Sequence, residues 1–161
     1  SDLTNALTIV SEFSKIFLNN LSGTIGVTTR FGDLDGEYID GDVRINSRRS
    51  DLTLREIKGN WDINSQYGVI KLFTVPYPTE GLLSLNIDAE KSDVYFFDPK
   101  PDNYGFNLIA HYGNITTPQD LKFNYLENTT ELKKAIFSST VGKQNAISIK
   151  ISFGDIIIRN P

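Results

Sequence analysis

A chain of 161 residues, 39% hydrophobic and 22% charged, is long enough for one domain with a sizeable core. Its net charge of −4 comes without any basic run, which removes the electrostatic footprint of a nucleic-acid binder. Cysteine is absent, so disulfides, thiolate metal sites and thiol nucleophiles are excluded. No apolar stretch approaches the roughly 18 residues of a membrane span.

The opening Ser1-Asp2-Leu3 shows no signal peptide and reads as a mature or trimmed product, any export signal already removed.

Along the chain, segments 23–32, 41–50 and 59–68 resemble one another and end on Gly32, Ser50 and Gly68, a spacing of 18. One step back lies Ser14; forward, looser matches fall at Ser92, Gly113 and Gly154, spaced 24, 21 and 41. These anchors are small residues suited to a tight turn. Seven residues before them stand Leu7, Ile25, Val43, Trp61, Leu85, Phe106 and Ile147, and five before stand Ile9, Val27, Ile45, Ile63, Ile87, Leu108 and Ile149. Two after stand Ile16, Leu34, Leu52, Ile70, Val94, Ile115 and Ile156. Apolar residues at alternating offsets mean strands. A further apolar column, Leu21, Ile39, Ile57 and Val75, precedes the corner glycines Gly23, Gly41 and Gly59. The polar columns agree: stacked rungs lie about 4.8 Å apart, and the frame sets Glu12 against Arg30, Arg44 against Asp62, Glu37 against Arg55 and Asp40 against Lys58. Asn46 over Asn64 suits an amide ladder, whereas Asp33 over Asp51 and Arg30 over Arg48 break the pattern.

The expected fold is all-β: a single-stranded parallel β-solenoid of about seven to eight rungs with a repeat of 18–24 residues, filling 1–161 as one domain. Regular rungs are expected over 5–75 and irregular, loop-bearing rungs over 76–161. The helical period of 8–21 yields to its β-branched residues, and 128–136 reads as a capped helix or an edge strand running on through 137–140. The gap between Gly113 and Gly154 reads as an insertion or a degenerate rung, with strand alternation over 121–126. Five prolines from Pro76 to Pro118 mark loops, and the irregular rungs, above all 96–104, are the expected partner surface.

The ending 146–159, with Phe153-Gly154-Asp155-Ile156 at its turn, resembles the closing repeat of the bacterial DUF4097 family of adhesin-like proteins, which are related to head-domain auto-transporter adhesins. Phe31-Gly32-Asp33-Leu34, Tyr67-Gly68-Val69-Ile70 and Tyr112-Gly113-Asn114-Ile115 repeat the same phrase. The resemblance implies a β-solenoid, export to the periplasm or cell surface, and no established enzyme activity. It carries scaffold positions only, so no functional residue transfers. The chain departs from it where Ser stands at 14, 50 and 92 and where Arg49 and Lys91 replace the aromatic before the turn.

No catalytic, cofactor-binding or metal-ligating residue emerges. His111, the one histidine, lies on the polar parity of its strand with nothing marking a nucleophile beside it. The acids Asp33, Asp35, Glu37, Asp40 and Asp42 lack the spacing of a calcium loop and fall on two sides of one rung. The pre-turn aromatics Phe13, Phe31, Tyr67, Tyr112 and Phe153 share the inward parity and are expected to fill the core near a corner. The N-glycosylation signals at Asn114 and Asn128 read as chance matches. The expected role is that of a non-catalytic, exported, adhesin-like surface protein binding a surface protein or glycan. The alternatives are a structural, end-to-end self-associating envelope module and a polysaccharide lyase or glycosidase on the same scaffold.

Overall fold

The computed structural model describes residues 6–73, 82–97, 104–137 and 145–159. All regular structure among them is β: β1 (Ala6–Glu12), β2 (Ile16–Arg30), β3 (Leu34–Arg48), β4 (Leu52–Gln66), β5 (Val69–Phe73), β6 (Leu82–Glu90), β7 (Asp93–Phe97), β8 (Tyr104–His111), β9 (Ile115–Thr116), β10 (Asn124–Asn128), β11 (Leu132–Phe137), β12 (Asn145–Ser152) and β13 (Ile156–Arg159). They join in one 13-stranded, mostly parallel sheet that curls into the expected solenoid.

The 18-residue frame is the observed register. Val27 pairs with Ile45 and Ile45 with Ile63; Leu34 pairs with Leu52 and Leu52 with Ile70. The inward columns form the core, with Leu34, Leu52, Ile63, Ile70, Leu85 and Ile147 all fully buried. Trp61 lies in the same inward column and donates its indole N–H to the carbonyl of Lys58 at 2.7 Å, which keeps a buried polar atom satisfied.

Each regular rung turns three corners. At the first, Phe13, Phe31, Arg49 and Tyr67 adopt φ of 53–58°, and at the second, Asn20, Tyr38 and Glu56 adopt φ of 50–55°. The third carries Gly23, Gly41 and Gly59, with φ of 118°, 145° and 92°. A Cβ at Gly41 would stand 1.9 Å from the carbonyl oxygen of Gly23, so this column admits no side chain.

Space does not follow sequence in the second half. The N–H of Tyr67 bonds to Glu90, that of Lys91 to Ser152, that of Phe153 to His111, and that of Tyr112 to Glu131. The last strands in the chain are therefore threaded into the stack: β12 pairs with β6 on one side and β8 on the other, and β13 lies between β7 and β9. Among the described residues the long gap before Gly154 holds an insertion rather than a degenerate rung, and no helix. It holds β10 and β11, an antiparallel pair in which β11 also runs antiparallel to β8 and closes that end of the coil. Segment 128–136 is therefore strand rather than helix, but not an edge: it spans the end of β10, a turn and most of β11, which is paired on both sides. The expected continuation through 138–140 lies outside the described residues, as does Val75.

Candidate functional site

The first corner overturns one expectation. Phe13, Phe31, Tyr67, Tyr112 and Phe153 are 74%, 47%, 42%, 56% and 55% exposed; they do not fill the core. Strict alternation would point them inward, but a residue at positive φ breaks the alternation, so two consecutive side chains, such as Arg48 and Arg49, both face outward. The result is a surface ladder. The rings of Phe13 and Phe31 stack at 5.0 Å, and the guanidinium of Arg49 sits 5.7 Å from the Phe31 ring and 5.3 Å from that of Tyr67. Lys91 lies 5.1 Å from the other face of Tyr67 and bonds to its hydroxyl, and Tyr112 stacks on Phe153 at 5.3 Å.

The two departures at Arg49-Ser50 and Lys91-Ser92 are now explicable. A cation between two rings replaces a third ring. Beside it, the Ser50 hydroxyl accepts the N–H of Gly32 and the Ser92 hydroxyl accepts that of Gly68, each at 3.2 Å. Aromatic–glycine and cation–serine rungs therefore alternate from Phe31 to Ser92. Asp33 above Asp51 is likewise no clash: the Asp33 carboxylate accepts the N–H of Asp51 at 3.1 Å, and that of Asp51 accepts the N–H of Val69 at 3.0 Å. Further along, Asp93 caps the N–H of Asp155, whose own carboxylate caps Asn114.

The opposed charges are in register as expected, Glu12 with Arg30, Glu37 with Arg55, Asp40 with Lys58 and Arg44 with Asp62. Lys15 and Asp35 form an ion pair at 3.3 Å.

The acids at 33–42 divide as the frame implies. Asp35 pairs with Lys15, Asp42 accepts from Asn60 at 3.0 Å, and Asp33 caps a backbone N–H. Among the described residues no group of three His, Asp or Glu side chains is placed to hold a metal. Glu56, and after it Glu37, raise the Tyr38 hydroxyl above its ordinary pKa, because its phenolate would form beside their charge.

Threading β12 into the stack creates one juxtaposition invisible in sequence order: Ser152 lies between Glu90 and His111 on the outward face. The order is wrong for a triad, in which the imidazole stands between acid and hydroxyl, and no hydrogen bond joins the three side chains.

Two broad faces remain. The long face, the outer side of β2–β4, β6, β12 and β8, is polar and charge-balanced: Arg30, Arg44, Arg48 and Lys150 stand among Asp42, Asp62, Asp88 and Glu90. Open depressions of 580, 460 and 330 Å³ lie along it. The short face carries a different chemistry. There Arg55 lies 4.8 Å from the Phe73 ring, Phe73 stacks on Phe97 at 4.8 Å, Tyr95 lies 6.0 Å from Phe97, and Arg159 lies 5.8 Å from Tyr95. The loop segments expected to carry a partner surface, 74–81 and 98–103, lie outside the described residues.

Against this geometry the comparisons with known proteins add little. No family model matches the chain, and no curated protein matches it. A solved structure from Clostridium sporogenes, described as a "putative cell adhesion protein", is similar over 96% of this chain and 92% of its own, at 13% identity and a TM-score of 0.43. The case for a function rests on the surface itself. Among the described residues no helix is long and apolar enough to cross a membrane.

Proposed function

We propose that this chain is a non-catalytic, exported, adhesin-like module that holds a binding surface on a rigid coil. The observation that carries the reading is the outward display of aromatic and cationic side chains in registered rows, such as Phe31, Arg49, Tyr67 and Lys91 along one corner. A soluble monomer gains no core from these residues. Arg and Tyr are the types that dominate protein contacts, and a hydrogen-bonded stack fixes their spacing without the entropy cost of ordering loops. The resemblance of 146–159 to DUF4097 repeats supports export and the adhesin-like role. The test is binding of the labelled chain to bacterial and host cell surfaces, untreated or stripped by protease or by glycosidases. Retention abolished by one treatment is expected. Absence of binding to every surface, or depolymerisation of a polysaccharide by the chain, overturns the reading.

A second reading, end-to-end association, is favoured by one observation. The most exposed large apolar side chains, Val10, Phe13 and Phe17 at 76%, 74% and 69%, all lie on the first described rung, where β1 pairs with β2 alone among the described residues. Sedimentation of the wild-type chain against V10K/F13S reads it directly: a larger species that the variant dissolves supports it, and a wild-type monomer at all concentrations removes it.

A further inference from the structure

The short face separates charge along its strands. Its turn edge carries Asp51, Asp93 and Asp155, each with an oxygen committed to a backbone N–H of the next rung. The opposite edge carries Arg55 and Arg159, both exposed, with exposed Lys71 between the edges. Arg55 pairs in register with Phe73, and Arg159 with Phe97. The backbone positions of the two arginines are therefore three rungs apart, about 14 Å at the usual strand spacing. Neither has a carboxylate within 4 Å among the described residues. Arg55 forgoes Glu37, its partner in register, and packs on Phe73 instead.

Stacking on a ring holds a guanidinium flat and leaves its N–H fork pointing outward, the geometry that grips carboxylates bidentately. The half-buried edges of Phe73, Tyr95 and Phe97 supply an apolar strip between the two forks. That strip also narrows the partner. Sugars and nucleobases stack on open ring faces, and here the Phe73 faces are taken by Arg55 and Phe97. A nucleic acid needs a longer row of cations than these three. Arg and Tyr around an apolar centre is the composition of a protein contact.

We propose that the face carrying Arg55, Lys71, Phe73, Tyr95, Phe97 and Arg159 docks a protein partner that presents carboxylates on either side of an aliphatic contact. This deepens the adhesin-like reading and rests on it.

The test is selection of a random phage-displayed peptide library on the immobilised wild-type chain. The expected peptides pair Asp or Glu with an intervening aliphatic residue. They bind R55Q/R159Q about tenfold more weakly and lose affinity as salt rises. They bind R44Q/R48Q, altered on the long face, as well as wild type. Both variants change exposed residues, and an unaltered unfolding midpoint certifies the fold. The reversal R55E/R159E is expected to select basic peptides instead. Failure to select any peptide, peptides without acids, or equal binding to R55Q/R159Q overturns the proposal. So does stronger arginine-dependent binding to polygalacturonate or to an oligonucleotide, which would hand the face to a glycan or a nucleic acid. Cell-surface binding that persists undiminished in R55Q/R159Q sinks this face and spares the adhesin-like reading. Peptide binding as expected, with no cell-surface binding by the wild type, does the reverse.

Discussion

The rungs of β2 to β4 and the rung of β12–β13 are built from the same columns, yet they reach their places differently. The first three follow one another at 18 residues, and each pairs with the chain just laid down. The last must pass between β6 and β8, so that Asp155 meets Asp93 across 62 residues. Closing a loop of 62 instead of 18 residues costs about 1 kcal/mol more in chain entropy. The packing reached is equal: Ile63 and Ile149 are 0% and 1% exposed. Local chemistry thus fixes what a rung looks like, while the order of assembly is a separate property.

The largest expected effect breaks the two regions in the same way. Gly41→Val adds a Cβ that would lie 1.9 Å from a carbonyl oxygen, and Gly113→Val does so at 1.7 Å in the rung beneath the threaded one. Each is expected to cost on the order of 4 kcal/mol or more. Gly26→Ala, with nothing within 4 Å of the new Cβ, is the control, and it should be neutral or stabilising by up to about 1 kcal/mol. Urea unfolding midpoints decide; an unaffected Gly41→Val would mean that the corner column is not as close as described.

Next in size, Ile63→Ala and Ile149→Ala should each cost roughly 2–5 kcal/mol, but through different rate constants. If the threaded rung enters last, Ile149→Ala speeds unfolding and leaves refolding nearly unchanged, whereas Ile63→Ala slows refolding. Stopped-flow chevrons compare them. Equal slowing of refolding would show that the C-terminal rung belongs to the nucleus.

How much of this the sequence disclosed follows the same division. The columns through Val27, Ile45 and Ile63 were legible because inward apolar positions at a fixed spacing have no other economical cause. The outward turn of Phe31 and Tyr67 was not, because alternation was carried through a corner where one residue at positive φ cancels it. A non-glycine residue at φ of 55° announces itself only weakly in sequence. Nor could the threading of β12 be read: Gly154 satisfies the anchor pattern equally well beside Gly113 or beneath it. The short-face ladder was within reach. Glu37, Arg55, Phe73, Phe97 and Arg159 all stand five residues after an anchor. That outward column is as regular as the inward ones.

A smaller effect sharpens the comparison. The hydroxyls of Ser47 and Ser65 are buried without a hydrogen-bond partner, while the same column holds Ala89 and Ala110 in later rungs. Replacing a buried unpaired hydroxyl by hydrogen removes a desolvation penalty, so Ser65→Ala should stabilise by about 1 kcal/mol. Ala89→Ser should cost a similar amount. Thermal melts read both, and a destabilised Ser65→Ala would mean that the regular rungs hold a polar contact there which the later rungs lack.

The smallest effect lies at the second corner, where Tyr38 stands beside the side chains of Glu56 and Glu37. Its hydroxyl pKa is raised in the folded chain, chiefly by Glu56. A raised folded pKa means that stability is present in full below the unfolded value, near 10, and is lost as pH climbs through the folded value. The phenolate band of Tyr38, isolated by difference against Tyr38→Phe, should therefore appear at higher pH than that of a free tyrosine. In Glu56→Gln it should move back down, since removing the nearer carboxylate removes the larger repulsion. No shift between the two titrations would separate Tyr38 from Glu56. The second corner would then be held by backbone geometry alone, as the glycine corner is.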